Sequence, residues 1–182
     1  MLRVRDAALA AVLCVGVWVA TGAARKGAPL TAPARGDSVK VNQFMSYDAS
    51  AKTVSIQLVA SFGSVNGGMN FNGGYKGNQT ITVPQGWSVK MHFVNKDAIP
   101  HSAIVLPDKL PLPMQPQDPA IPRAYTVDVT AGLPTGGTDE MSFKASQPGK
   151  YLIVCGVPGH GPSGMYIGFV VAADAKVPSY AM

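Results

Sequence analysis

From about Val39 onward the chain is written in short apolar runs. In Val54-x-Ile56-x-Leu58 and Ile81-x-Val83 apolar residues alternate with others, the period of a strand with one face buried. On this pattern strands are expected at Val39–Phe44, Val54–Phe62, Thr80–Val83, Ser88–Val94, Ala103–Leu106, Ala124–Val129, Met141–Ala145, Lys150–Cys155 and Met165–Ala172. Turn residues separate them, among them Gly67-Gly68, Gly73-Gly74, Pro84-Gln85-Gly86, Gly136-Gly137 and Pro148-Gly149. No long amphipathic helix follows residue 25 and no repeat is visible. Many short strands with such turns predict an all-β domain, an antiparallel sandwich or barrel. In Val89-x-Met91-x-Phe93 the odd positions face the core, so His92 is expected on the other face as a surface histidine.

Two stretches depart from this pattern. Residues 107–122 hold six prolines and read as a stiffened loop rather than a strand. At the N-terminus Arg3 and Arg5 precede a nearly unbroken apolar stretch, Ala7 to Ala24, followed by Arg25-Lys26. Residues 1–24 are therefore expected to form an apolar helix that serves as a signal peptide or a membrane anchor. Gly22 and Ala24 suit a cleavage site, whereas the basic pair just beyond favours an uncleaved anchor. Either way the following domain is exported. Cys14 is no good lipidation site, because the apolar run continues past it. Residues 25–37 read as a linker of small residues and prolines, and residues 38–182 as the folded domain.

Composition narrows the choice. Charged residues make up only 14% of the 182, and the formal charge of +5 comes from 15 Lys and Arg scattered singly. No basic run exists of the kind that grips a phosphate backbone, so nucleic acid is not an expected partner. Asn78-Gln79-Thr80 is a glycosylation sequon. Of the two cysteines, Cys14 lies in the export segment, so the exported domain carries a single thiol, Cys155, whose presence calls for a reason such as metal ligation.

That thiol opens the most informative run of the chain: Cys155-Gly156-Val157-Pro158-Gly159-His160-Gly161-Pro162-Ser163-Gly164-Met165. Taken singly, the cysteine reads as a small buried hydrophobe, the histidine as a turn residue and the methionine as core. Together they place a thiolate, an imidazole and a thioether on one Gly/Pro-rich loop between two apolar segments. A thiolate with imidazoles and a weak thioether selects copper and keeps both its oxidation states accessible. A second imidazole is available at His101, at the end of another strand. The candidate ligands are His101, Cys155, His160 and Met165, for one copper ion cycling between Cu(II) and Cu(I). Met69, Met91, Met114 and Met141 are expected to be packing residues, with Met114 also placed to touch a partner from the proline-rich loop.

The region from Asn70 to Ala172 resembles the cupredoxins. It is most similar to the sulfocyanin family, with rusticyanin next. The resemblance lies in Phe71-Asn72-Gly73, Ile81-Thr82-Val83-Pro84-x-Gly86, Phe93-Val94-Asn95 ahead of Ile99-Pro100-His101, and the Cys-x4-His-x4-Met loop, whose spacing is that of these two groups. It implies a Greek-key β-sandwich with copper near one end. His101, Cys155 and His160 would be the strong equatorial ligands and Met165 the long axial one. His160 would be the more exposed histidine, the one through which the electron passes. Ser102 stands where many cupredoxins have Asn, which should alter hydrogen bonding to the thiolate and hence the potential.

The expected function is that of a blue copper electron carrier, not an enzyme, moving one electron between membrane-associated respiratory complexes. Its partners would be redox proteins: a terminal oxidase as acceptor and a cytochrome or similar complex as donor. The copper domain would be monomeric and tied to the membrane by the N-terminal segment. It would lie on the outer face of the cytoplasmic membrane, in the periplasm or at the cell exterior. The alternative is a copper-handling protein of the cell exterior, a chaperone or store. A copper enzyme would need a second metal site, and the chain has only three histidines, two of them already used.

Overall fold

The computed structural model describes residues 38–115 and 118–182; the expected signal or anchor and the linker lie outside them. Ten strands run β1 Ser38–Lys40, β2 Met45–Asp48, β3 Thr53–Ala60, β4 Thr80–Pro84, β5 Ser88–Asn95, β6 Ile104–Pro107, β7 Thr138–Lys144, β8 Gly149–Val154, β9 Tyr166–Ala172 and β10 Ser179–Ala181. One sheet has the order β1-β2-β3-β5-β7, the other β10-β4-β9-β8-β6. Pairing is antiparallel except for β3 with β5 and β4 with β9. The only helical element among the described residues is a 3-10 turn at Val65–Gly68. No described helix is long and apolar enough to cross a membrane.

Alternation and register together build the core. Met45 pairs with Ile56, Ile56 with Met91 and Met91 with Met141, so one row of buried side chains crosses four strands of the first sheet. A second row joins Val54, Val89 and Phe143. The other sheet answers with Ile81, Val83, Ile153, Ile167, Phe169 and Val171, all in the same apolar cluster. Edge-to-face contact between Phe143 and Phe169, with ring centres 6.0 Å apart, ties the two layers.

The proline-rich segment has a structural purpose. Strands β6 and β8 carry unbroken buried runs, Ile104-Val105-Leu106 and Leu152-Ile153-Val154. One face belongs to the central core. The other forms a smaller cluster of Ile104, Leu106, Leu152 and Val154, capped by Leu112 from the proline-rich segment. The loop therefore acts as a lid over the outer face of the second sheet.

The sequence pattern misplaced three elements. The expected strand Val39–Phe44 ends at Lys40; the chain turns, and a separate strand begins at Met45. Asn42 makes that turn by accepting the Phe44 N–H at 2.8 Å. The stretch Ala124–Val129 alternates correctly, with Ala124 and Thr126 buried, but is not a strand. Left-handed backbone at Arg123 and Asp128 breaks it at both ends, leaving an isolated bridge from Tyr125 to Ile104. The edge strand β10 was not expected at all. His92 does face outward, 3.6 Å from Glu140, as its register requires.

Removing a core ring tests the packing. Phe169→Ala should destabilise the domain by roughly 3–5 kcal/mol in denaturant unfolding. A pH test applies at the β2–β3 turn, where Asp48 accepts from Ser50 Oγ at 2.6 Å and the Ala51 N–H at 2.9 Å. These bonds, the hydroxyl first, hold its carboxyl below the usual value of 3.8. The stability they contribute is present above the unfolded-state pKa and lost as pH falls through the folded one. Asp48→Asn should lack this acid-dependent loss when melting is followed from pH 5 down to 2.

Candidate metal centre

The site lies where three chain segments meet at one end of the sandwich. Cys155 follows the last residue of β8, and Met165 precedes the first residue of β9. The intervening loop is a closed hairpin of hydrogen bonds. The Cys155 N–H donates to the Met165 carbonyl at 3.0 Å, and the Met165 N–H to the His160 carbonyl at 3.0 Å. Gly159 and Gly164 adopt left-handed backbone within it. His101 arrives on the connection from β5 to β6, fixed by a two-bond bridge to Leu133: His101 N–H to the Leu133 carbonyl at 3.2 Å, and the reverse at 2.8 Å.

These constraints bring three donor atoms together. Cys155 Sγ lies 3.6 Å from His101 Nδ1 and 3.5 Å from His160 Nδ1, and the two Nδ1 atoms are 3.2 Å apart. His101, Cys155 and Met165 are fully buried, while His160 is half-buried at the surface. Met165 sits in the apolar cluster beside Cys155. His92 stands apart on the outer face of β5. All four expected ligands thus occupy one end of the fold, and the three with nitrogen or thiol donors form a single cluster.

The triangle fits a metal ion. The point equidistant from its three corners lies about 2.0 Å from each, close to the ~2.0 Å to nitrogen and ~2.3 Å to sulfur of first-row metal bonds. Chemistry points the same way. Burial pushes the Cys155 thiol upward, against the opposing pull of the backbone N–H groups of Ser102 and Val157. Burial, then the nearby His101, pushes His160 downward. A neutral imidazole is a metal ligand, and a cation at the centre offsets the cost of a buried thiolate.

Ser102 reaches the sulfur through its backbone N–H, 3.5 Å from Cys155 Sγ. The hydroxyl donates to the Val129 carbonyl at 2.6 Å and accepts the Gly156 N–H at 3.0 Å. It thereby staples the segment after Cys155 to the 126–133 loop. Gly156 is required there, because a Cβ would overlap Val129 Cγ1 and come within 3.0 Å of the Val129 carbonyl. Met114, from the proline-rich loop, accepts the Gly159 N–H at 3.0 Å and is 63% exposed beside His160's loop.

One participant escaped the sequence reading. Asp97 Oδ2 lies 3.0 Å from His101 Nε2, the ring nitrogen turned away from the cluster. An Asp in a polar turn four residues before a histidine carries no signal that separates it from an ordinary solvated acid.

Two face-to-face sheets with a histidine–cysteine–histidine cluster at one end, two of its three members buried, define a cupredoxin, the fold of the blue copper proteins. Residues 40–182 match the family model of the sulfocyanin (SoxE) domain, and the chain belongs to that family. It is 29% identical over 140 residues to sulfocyanin of Sulfolobus acidocaldarius, covering 72% of this chain and 70% of that protein. Among solved structures, a rusticyanin aligns with a TM-score of 0.53 at 23% identity, over 74% of this chain and 86% of its own. Auracyanin B aligns with a TM-score of 0.49 at 20% identity, over 75% and 96% respectively. The cofactor of this class is a single copper ion.

Ser102→Ala should leave the Val129 carbonyl and the buried Gly156 N–H without their partner. The expected cost is roughly 1–3 kcal/mol in unfolding of the metal-free protein.

Proposed function

We propose that this chain is a one-electron carrier whose copper is held by His101, Cys155, His160 and Met165. It would work between membrane-associated respiratory complexes on the outer face of the cytoplasmic membrane, in the periplasm or at the cell exterior. The observation that carries the reading is the triangle of Sγ and two Nδ1 atoms, with two of its three corners buried. When bound, copper supplies a Cu(II)/Cu(I) couple.

The residues contribute shape and environment. Cys155 supplies the soft anionic donor, His101 and His160 neutral nitrogen, and Met165 a weak thioether. Both loop ends are held by paired backbone bonds between strands, so the ligand positions need not shift when the charge at the centre changes. Met165 and Cys155 are both buried within the apolar cluster, and a dry shell favours the less charged state of the couple. His160 is the ligand nearest solvent. Among the described residues no protein hydrogen bond reaches its Nε2, and exposed Pro158, Pro162 and Met114 surround its loop. That small apolar rim suits brief docking of a redox partner, a terminal oxidase on one side and a cytochrome or similar complex on the other. Residues 38–182 would form the monomeric copper domain, with 1–24 as signal or anchor and 25–37 as linker.

Burial argues against a copper chaperone or store, whose site must open to release its metal: His101 and Cys155 are inaccessible here. A catalytic second copper site finds no ligands among the described residues, since His92 lies on the outer sheet face against Glu140.

The visible spectrum of the protein with Cu(II) is the direct test. An intense thiolate-to-copper band that bleaches with ascorbate and returns on oxidation is expected; a colourless complex would sink the reading. Cys155→Ala should abolish the band. Met165→Leu should keep copper and colour but shift the reduction potential. Removal of residues 1–37 should leave a folded domain with the same spectrum.

A further inference from the structure

The two histidines of the cluster are held differently. His160 Nε2 is free of protein partners among the described residues, whereas His101 Nε2 meets the Asp97 carboxylate at 3.0 Å. We infer that Asp97 is the positioning residue of the metal centre: its carboxylate orients the buried His101 ring with Nδ1 toward the metal and, through its charge, favours the oxidised state. This rests on the copper reading above.

Geometry carries the first half of the argument. An imidazole that donates from Nε2 keeps its lone pair on Nδ1, the nitrogen 3.6 Å from Cys155 Sγ. A carboxylate accepts but cannot donate, so Asp97 Oδ2 selects this tautomer and excludes the other. Asp97 is itself held tightly. Its N–H donates to Asn95 Oδ1 at 2.8 Å, and its Oδ1 accepts the Ala98 N–H at 2.7 Å. Buried Asn95 also donates to the carbonyls of Ile99 at 2.8 Å and Leu133 at 2.9 Å, and Leu133 is the residue bridged to His101. One turn thus fixes both the backbone and the ring of His101.

Gly68 shows that room has been made for the carboxylate. A Cβ there would lie 2.8 Å from Asp97 Oδ2, and its φ of +87° is one that glycine adopts without strain. The acid is therefore seated under the 3-10 turn rather than trailing in solvent, with 21% of its side chain exposed.

Charge carries the second half. A carboxylate bonded to a metal-ligating histidine raises the basicity of the ligand. A more basic ligand stabilises the more highly charged metal more. Partly shielded from water, Asp97 should hold Cu(II) more firmly than Cu(I) and keep the potential lower than a neutral partner would.

The test is Asp97→Asn in the full chain, an amide of the same shape that can still accept from Nε2 without the charge. Cu(II) affinity, titrated into metal-free protein, should fall 10–100-fold. The reduction potential should rise, by about 59 mV for each tenfold by which Cu(II) binding weakens more than Cu(I) binding. A purely structural role would lower the melting temperature of the metal-free protein and leave the potential in place. If Asp97→Asn does not fold, Asp97→Ser carries the same expectation. A folded variant with wild-type potential and Cu(II) affinity overturns the assignment of Asp97 alone, provided the wild type shows the reversible blue band. Without that band in the wild type, the copper reading fails and this one with it.

Discussion

Everything at the working end of this protein depends on a thiol held in a dry place. Cys155 sits at the end of β8, with its N–H committed to Met165 and its sulfur shut away from water. In that setting a bare thiolate is costly and a neutral thiol is favoured. A metal cation changes the balance by replacing lost hydration with a direct bond. The sandwich therefore creates a demand at one point that a soft metal satisfies, with the histidines and methionine already in place around it.

Metal sites are useful for electron transfer when their ligands stay put. Here each proposed ligand is anchored by its own element: Cys155 and Met165 by adjoining antiparallel strands, His101 by its bridge to Leu133, and His160 by the hairpin between them. Ser102 binds two of these segments together through its hydroxyl, and Asn95 binds two more through its amide. These buried polar groups have their hydrogen-bond partners, which is the condition under which a polar network rigidifies an interior rather than weakening it. The proline-rich loop adds a further brace, since its Leu112 seals the outer face of β6 and β8 while Met114 holds the tip of the ligand loop.

The arrangement is also asymmetric in a way that matters for function. His101 is fully enclosed and backed by a carboxylate; His160 is half-exposed and backed by nothing among the described residues. One side of the cluster sets position and electrostatics, and the other is left open for contact. On the proposed reading, the geometry that would make the site a poor metal donor would make it a good relay, because a redox partner would have only to approach the apolar rim, not to reach the metal.

The sequence alone determined the class of fold and named the three residues that the fold clusters, His101, Cys155 and His160. Alternation in Val54-x-Ile56-x-Leu58 and Val89-x-Met91-x-Phe93 translates directly into buried rows, because side-chain direction in a strand is a local property. The Cys-x4-His-x4-Met loop was equally legible, because its donors are close in sequence and no ordinary loop needs all three. The errors fell where local pattern competes with backbone conformation: the turn at Asn42 that splits Val39–Phe44, and the left-handed residues that unmake a strand at Ala124–Val129. Only the tertiary structure decided what surrounds the donors. Gly68, Val129 and Leu133 reach the surroundings of the cluster from remote segments, and contacts across such gaps leave no periodicity behind. Asp97 is close in sequence, but an acid in a polar turn carries no sign of which ring it will face. Where a side chain's role depends on which other segment it touches, the sequence names the residue and the fold supplies its meaning.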